Sequence, residues 1–159
     1  MLATPHILAG AAIGASSRRP WLGISLAFAS HFVLDFLPHI DSHGLFGAKI
    51  GGPTAGEVIS ASVDVLVGVV LMLALVGRRP GQRWILAAAF AAIVLDLVDN
   101  VPPWGAWFRA WSGTAWLSVF HHSIQHNLPR AQWPAGIALQ LPVIGLAGWL
   151  LARRRAGSS

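Results

Sequence analysis

The sequence predicts an all-α, polytopic integral membrane protein of about five transmembrane helices, and three observations carry that prediction. Hydrophobic residues make up 55% of the 159-residue chain and charged residues 11%, with a mean hydropathy of +0.61, which is the composition of a membrane domain. Apolar runs at about 5–17, 21–37, 57–77, 84–101 and 134–152 approach or reach the length that crosses a bilayer as a helix. Charge is also sorted by side. Eight of the eleven basic residues (Arg18, Arg19, Arg78, Arg79, Arg83, Arg153, Arg154, Arg155) lie at one set of helix ends, whereas all seven histidines and six acids fall toward the other. Cytoplasmic loops carry the excess of Lys and Arg, so the expected N-terminus is outside and the C-terminus inside a bacterial or archaeal cytoplasmic membrane.

Taken in order, the first run opens on Thr4-Pro5, a helix-start pattern, and carries Gly10 and Gly14 four apart, a small-residue pair that lets a neighbouring helix approach closely. It has no preceding basic region, so it is expected to be retained rather than removed as a signal peptide. The second run ends at Pro38, and the third begins near Glu57, an acid suited to a first turn. Asp99, Asn100 and Pro102 are expected to end the fourth. Trp104, Trp107, Phe108 and Trp111 have the spacing of one helical face between Pro102–Pro103 and Gly113, and with Trp116 and Phe120 predict a helix lying in the outer interface. Trp21, Trp84 and Trp149 mark the inner boundary. The fifth run carries Gln140 and Pro142 and reads as a peripheral packing helix. One helical domain over 1–155 and a short disordered tail at 156–159 account for the chain. A weak repeat at a shift of 58 to 61 residues relates His6-Ile-Leu-Ala-Gly10 to Asp64-Val-Leu-Val-Gly68, and Asp35 to Asp96, as if one helical hairpin occurred twice.

Several function classes are excluded. There is no cysteine, hence no disulfide framework and no thiolate metal site. No serine elbow of the G-x-S-x-G kind and no glycine-rich phosphate loop is present. The net charge of +5 sits at helix ends and is read as topology and headgroup contact, so no nucleic-acid partner is expected.

An ionisable side chain within a bilayer costs about 2.5–3.5 kcal/mol on insertion scales, so each one needs a partner, water or a metal. His31 and Asp35 are four apart and share a helix face; Asp96 and Asp99 are three apart; His122 and His126 repeat the four-residue spacing. Imidazole and carboxylate without sulfur suit zinc, manganese or iron. His6 alternatively reads as a solvated or capping residue, Asp99 as a helix terminator, His43 and Lys49 as solvated, and His121–His122 as interfacial side chains. Asp35, Asp64 and Asp96 have no such simple account, because only Lys49, Arg109 and Arg130 lie on their side as countercharges.

Thr4-Pro5-His6, the segment Ser30-His31 through Asp35 and Pro38 to His39-Ile-Asp41, and His121-His122-Ser-Ile-Gln-His126 together resemble the inner-membrane metal-dependent hydrolase family, also described as LexA-binding inner-membrane hydrolases. The S-H-x3-D-x2-P segment matches most closely. His39 stands where the family's P-D-x-D segment has its first aspartate, and His121 to His126 keep an H-x4-H spacing without the family's Arg, Gly and Thr. The resemblance implies a polytopic membrane protein with a metal-hydrolase site and implies no particular substrate.

The expectation is therefore a divalent-metal-dependent hydrolase, with zinc first and manganese or iron as alternatives, acting just beneath the outer membrane surface. The expected ligands are His6, His31, Asp35, Asp64 and Asp96, with His122 or His126 closing over them, enough for one or two metals. His39, Asp41 and His126 are the expected proton-moving groups. The partners are membrane lipids and a lipid-like substrate such as a phospholipid or isoprenoid phosphate, whose phosphate Arg109 and Arg130 would meet; both arginines also read as interface anchors. A small transporter or ion-binding protein using the same residues is the alternative, and a membrane scaffold with paired buried charges is the third reading.

Overall fold

The computed structural model describes residues 1–46, 53–78, 81–102 and 104–156, with the backbone alone at 155 and 156. Lys49, Arg79, Pro103 and the tail beyond residue 156 lie outside the described residues. The chain is all-α. Its helices are α1 (Ala3–Ser16), α2 (Pro20–Asp35), α3 (Ser42–Phe46), α4 (Ala55–Val76), α5 (Gln82–Ala91), α6 (Val94–Asn100), α7 (Trp104–Ala110), α8 (Ala115–Ile124), α9 (Trp133–Ala138) and α10 (Leu141–Ala156), with a 3-10 turn at Arg130–Gln132 before α9. The five apolar runs all fold as helix, but the fourth is broken into α5 and α6 and the fifth into α9 and α10.

Two helical stretches are long and apolar enough to cross a membrane: Ala55–Val76 with 22 residues, and Arg130–Arg154 with 25. On one side of α4 the apolar side chains point outward, with Ile59, Val63, Leu66, Val70 and Leu73 all exposed, while Met72 and Val76 turn inward. A contiguous exposed apolar face of this kind is typical of a surface that meets lipid or another protein.

Local sequence explains most helix ends. Pro20 opens α2 at a position where its missing N–H is not needed, and Pro38 disfavours helical backbone just beyond its end. Thr54 and Glu57 form a reciprocal capping box at the start of α4, so Glu57 has the helix-start role its position predicts. Pro142 cannot donate to the carbonyl four residues back, and the helix restarts at Leu141. The α5–α6 break at Ala92 and Ile93 contains neither Gly nor Pro.

Helix α1 is central and packs against α2, α4, α5 and α10. Its two glycines explain the close approach to α5: a Cβ on Gly10 would lie 2.6 Å from Ala92 Cβ and 2.9 Å from the Ala88 oxygen, and one on Gly14 would lie 2.7 Å from Ala88 Cβ. The small-residue pair thus does what its spacing predicts. Beneath the polar residues, Ile7, Leu8, Ala11, Ala12, Met72, Val76, Ile85, Ala89 and Leu151 form an apolar core.

The proposed hairpin repeat is not reflected in the packing. Helices α1 and α2 are close neighbours, whereas α4 and α5 are not among the extensively packed pairs and each lies against α1 instead. Asp64, the supposed counterpart of His6, has a different task. Leu2 at the cap position gives α1 no side-chain acceptor, and the Asp64 carboxylate accepts from the Ala3 and Thr4 amides, the latter at 3.2 Å, while the Thr4 hydroxyl donates to the Asp64 carbonyl at 2.9 Å. Asp64→Ala should lower stability by about 0.5–2 kcal/mol, the usual cost of a lost helix cap. Thermal denaturation with parallel metal analysis checks this, and the metal content should not change.

The fifth helical run is more than peripheral packing. Gln140 is buried; it accepts from the Leu2 amide at 3.0 Å and donates to the Ile40 and Gly136 carbonyls at 2.9 and 2.8 Å, tying the N-terminus to the segment after α2. At the basic end, Arg83 lies over Trp84 at 5.0 Å and Arg153 over Trp149 at 4.6 Å. At the other end, α7, α8 and the turn between them present Trp104, Trp107, Trp111 and Trp116 to the surroundings, while Phe108 turns inward.

Candidate metal centre

Four side chains from three helical segments meet at the end of the bundle opposite the basic turns. His31 and Asp35 come from one face of α2, Asp96 from the first turn of α6 and His121 from α8; one ligand atom from each lies within 4.8 Å of the others. His31, Asp35 and His121 are fully buried, and the Asp96 side chain is 25% exposed, giving the group an open side.

The hydrogen bonds around the group define what the ring nitrogens do. His31 donates from Nδ1 to the Ala92 carbonyl at 2.8 Å, at the break between α5 and α6, so its Nε2 presents a lone pair. That Nε2 faces His121 Nε2 at 3.0 Å and Asp35 Oδ2 at 3.3 Å, and lies 4.0 Å from Asp96 Oδ1. His121 Nε2 is 3.0 Å from Asp35 Oδ2 and 3.5 Å from Asp96 Oδ1. A cation bonded at about 2.0–2.1 Å to four tetrahedral nitrogen and oxygen ligands holds them about 3.3–3.4 Å apart, close to these separations. The residues therefore fit a metal ion.

Burial by itself lowers the His121 pKa, yet its hydrogen bond to Asp35, with the charges of Asp96 and Asp35, holds it above the ordinary histidine value. The surroundings thus favour positive charge at this point. A proton on His121 satisfies part of the arrangement, whereas a metal ion could engage all four groups.

The other oxygen of Asp35 serves a different set. Oδ1 accepts from the Met1 ammonium at 2.8 Å and from His6 Nε2 at 3.1 Å. The His6 ring lies 4.5 Å from that of His31, and its own Nδ1 is buried without a partner. His6 accordingly supports Asp35 from behind the four-residue group.

A comparison with family models, with curated proteins and with solved structures finds no match.

Of the expected ligands, the structure brings together His31, Asp35 and Asp96, whereas His6, Asp64, His122 and His126 are not members of the group. His6 bonds Asp35 Oδ1 and lies against the His31 ring, Asp64 caps α1, and His122, half-exposed, turns its Nε2 to Asp99 Oδ2 at 3.1 Å. His121 takes the place expected of His122. The two are adjacent in the sequence, with rings 5.4 Å apart that both reach Asp99 Oδ2, but His121 is buried and His122 half-exposed, so the pair was legible and the choice between them was not. Asp99 is fully buried, within 3.4 Å of His121 Nδ1, rather than serving merely as a helix terminator.

The expected proton-moving residues also separate. Asp41 Oδ1 accepts from the Gly44 amide at 2.6 Å at the start of α3. His126 is exposed, donates from Nδ1 to the Ile124 carbonyl at 3.0 Å and packs its ring against Phe36. Its backbone pins the residues after α2, accepting from His39 N at 3.1 Å and donating to the Asp35 carbonyl at 3.2 Å. Neither Asp41 nor His126 joins the group. His39 is different: it is fully buried, donates from Nδ1 to the Leu37 carbonyl at 2.7 Å and leaves Nε2 without a partner. Burial, followed by the nearby Met1 ammonium, pushes its pKa down to about 4. The ring is neutral at ordinary pH and offers a free acceptor.

Proposed function

We propose that this chain is a five-span protein of the cytoplasmic membrane, with its N-terminus outside, and that His31, Asp35, Asp96 and His121 hold one divalent cation, zinc in the first place, for hydrolysis of an amphiphilic substrate at the outer face. The observation that carries the reading is the meeting of two imidazole Nε2 atoms at 3.0 Å with two carboxylates around them, one ring fixed by a carbonyl as a lone-pair donor. When bound, a divalent cation there supplies Lewis acidity toward a phosphoryl or acyl oxygen and lowers the pKa of water.

The chain's own residues would do the rest. Asp96 stands at the open side, where a substrate head would enter. His39, with its unpartnered Nε2, is the group suited to accept a proton from a hydroxyl or water. The exposed tryptophans of α7 and α8 favour a substrate that lies in the lipid interface, and Arg109, beside Asp99, is available to its anionic head. Transport needs a polar route onward to the basic side. Among the described residues, the core beneath the group is apolar, and Ser17 there is already bonded to the Ile13 carbonyl at 2.9 Å.

Two measurements test the proposal. Detergent-purified protein should contain about one equivalent of divalent metal that a chelator removes, and removal should abolish phosphoester or acyl-ester hydrolysis in mixed micelles. Metal-free protein that takes up no zinc would end the metal reading. For topology, a reporter fused after Arg155 should behave as cytoplasmic and one inserted in the 42–52 loop as external. The reverse result would put the metal group on the inner face.

A further inference from the structure

We infer that Asp99 is a positioning residue for the metal centre, acting through His121; this rests on the metal reading above. Asp99 lies on α6, one turn beyond Asp96, and its carboxylate is fully buried. Ser118 donates its hydroxyl to both carboxylate oxygens at 2.9 and 3.0 Å, Arg109 approaches Oδ1 at 3.3 Å while also bonding the Asp99 carbonyl, and His122 Nε2 meets Oδ2 at 3.1 Å. These groups come from α7 and α8. They hold the carboxylate in place with Oδ2 turned to His121 Nδ1 at 3.4 Å, while His121 Nε2 faces the other three members of the metal group.

The pair with Arg109 does not by itself account for this burial. Arg109 is 47% exposed, and an arginine at the surface pairs equally well with an exposed acid. A buried carboxylate on the far nitrogen of a ligand imidazole has a specific effect: it keeps the proton on Nδ1, leaves the Nε2 lone pair for the cation and makes that nitrogen a stronger donor. His31 has the weaker version, since its Nδ1 donates to the neutral Ala92 carbonyl. The two imidazoles are therefore unequal, and His121 is the more basic ligand. Asp99 also joins α6 to the outer helices at the point where α8 delivers its ligand, and Ser118 lies three residues before His121 on the same face of α8.

Cobalt(II) titration of the full-length protein in detergent, read by visible absorption, tests the inference. Asp99→Asn should still bind about one equivalent, but about 10–100-fold more weakly than wild type and with a shifted absorption band, because the ligands are kept and the donor strength of one is changed. Asp99→Glu should recover part of the affinity. Ser118→Ala, which frees the carboxylate without removing it, should weaken binding in the same direction and carries the test if Asp99→Asn does not fold. Unchanged affinity and spectrum in both variants would overturn the inference and leave Asp99 a structural counterion. Complete loss of cobalt in a folded Asp99→Asn would overturn it in the other direction, making Asp99 a ligand. Failure of the wild type to bind cobalt at all would refute the metal reading itself and this inference with it.

Discussion

Asp35→Asn should lower metal affinity by more than about 100-fold, exceeding the effect of any change outside the ligand set. The Asp35 carboxylate faces two groups at once: Oδ1 receives the Met1 ammonium and His6, and Oδ2 lies against His31 and His121. An amide has one oxygen and one NH2, so either orientation sets N–H groups against a donor pair or against the two nitrogens that face the cation. It also removes the carboxylate charge paired with the buried Met1 ammonium, and breaking a buried pair in this way costs about 3–5 kcal/mol. The expected result is a folded but less stable protein without metal or hydrolysis, measured by equilibrium binding and thermal denaturation on the same preparation. Asp64→Asn makes the same chemical change in α4 and should keep its metal, because Asp64 only caps α1. Full metal retention in Asp35→Asn would refute the metal centre and favour the scaffold reading, in which a neutral amide is tolerated.

The second large effect is expected far from any titratable group. Gly10→Val introduces a branched side chain where even a Cβ would stand 2.6 Å from Ala92 Cβ, 2.9 Å from the Ala88 oxygen and 3.1 Å from Ala89 Cα. Two of those atoms are backbone, so relief requires α1 and α5 to separate, and overpacking of this kind costs about 1–3 kcal/mol. Separation also moves Ala92, whose carbonyl orients His31. Gly10→Val should therefore lose both thermal stability and metal affinity, although residue 10 touches no ligand. Gly145→Ala is the control: nothing lies within 4 Å of its Cβ position, and alanine in an exposed helix position should be neutral or stabilising by up to about 1 kcal/mol. Equal stability of Gly10→Val and wild type would show that the α1–α5 contact does not hold the site.

The helices were legible because local signals specify them. Apolar runs of sufficient length, Pro38, the first-turn acid Glu57 and the Gly10–Gly14 pair act through neighbours within a turn or two, and the structure places helix over all five runs and the close α1 contact accordingly, although it breaks the fourth and fifth runs into two helices each. His31 and Asp35 were legible as a pair for the same reason, four residues apart on one helix face. Only the tertiary structure decided the rest. The sequence marks no break at Ala92, which contains neither Gly nor Pro; the carbonyl there meets a histidine 61 residues away. Asp64 and Asp96 are alike as acids in apolar helices, yet one lies beside the amides of α1 and the other beside two imidazoles, so one caps and the other joins the metal group. His121 and His122 both reach Asp99 Oδ2, and it is the packing of α8 against α2 that buries His121 against His31 and Asp35 and leaves His122 half-exposed. Periodicity tells which residues share a face of one helix; which face meets which neighbour is a property of the assembled bundle.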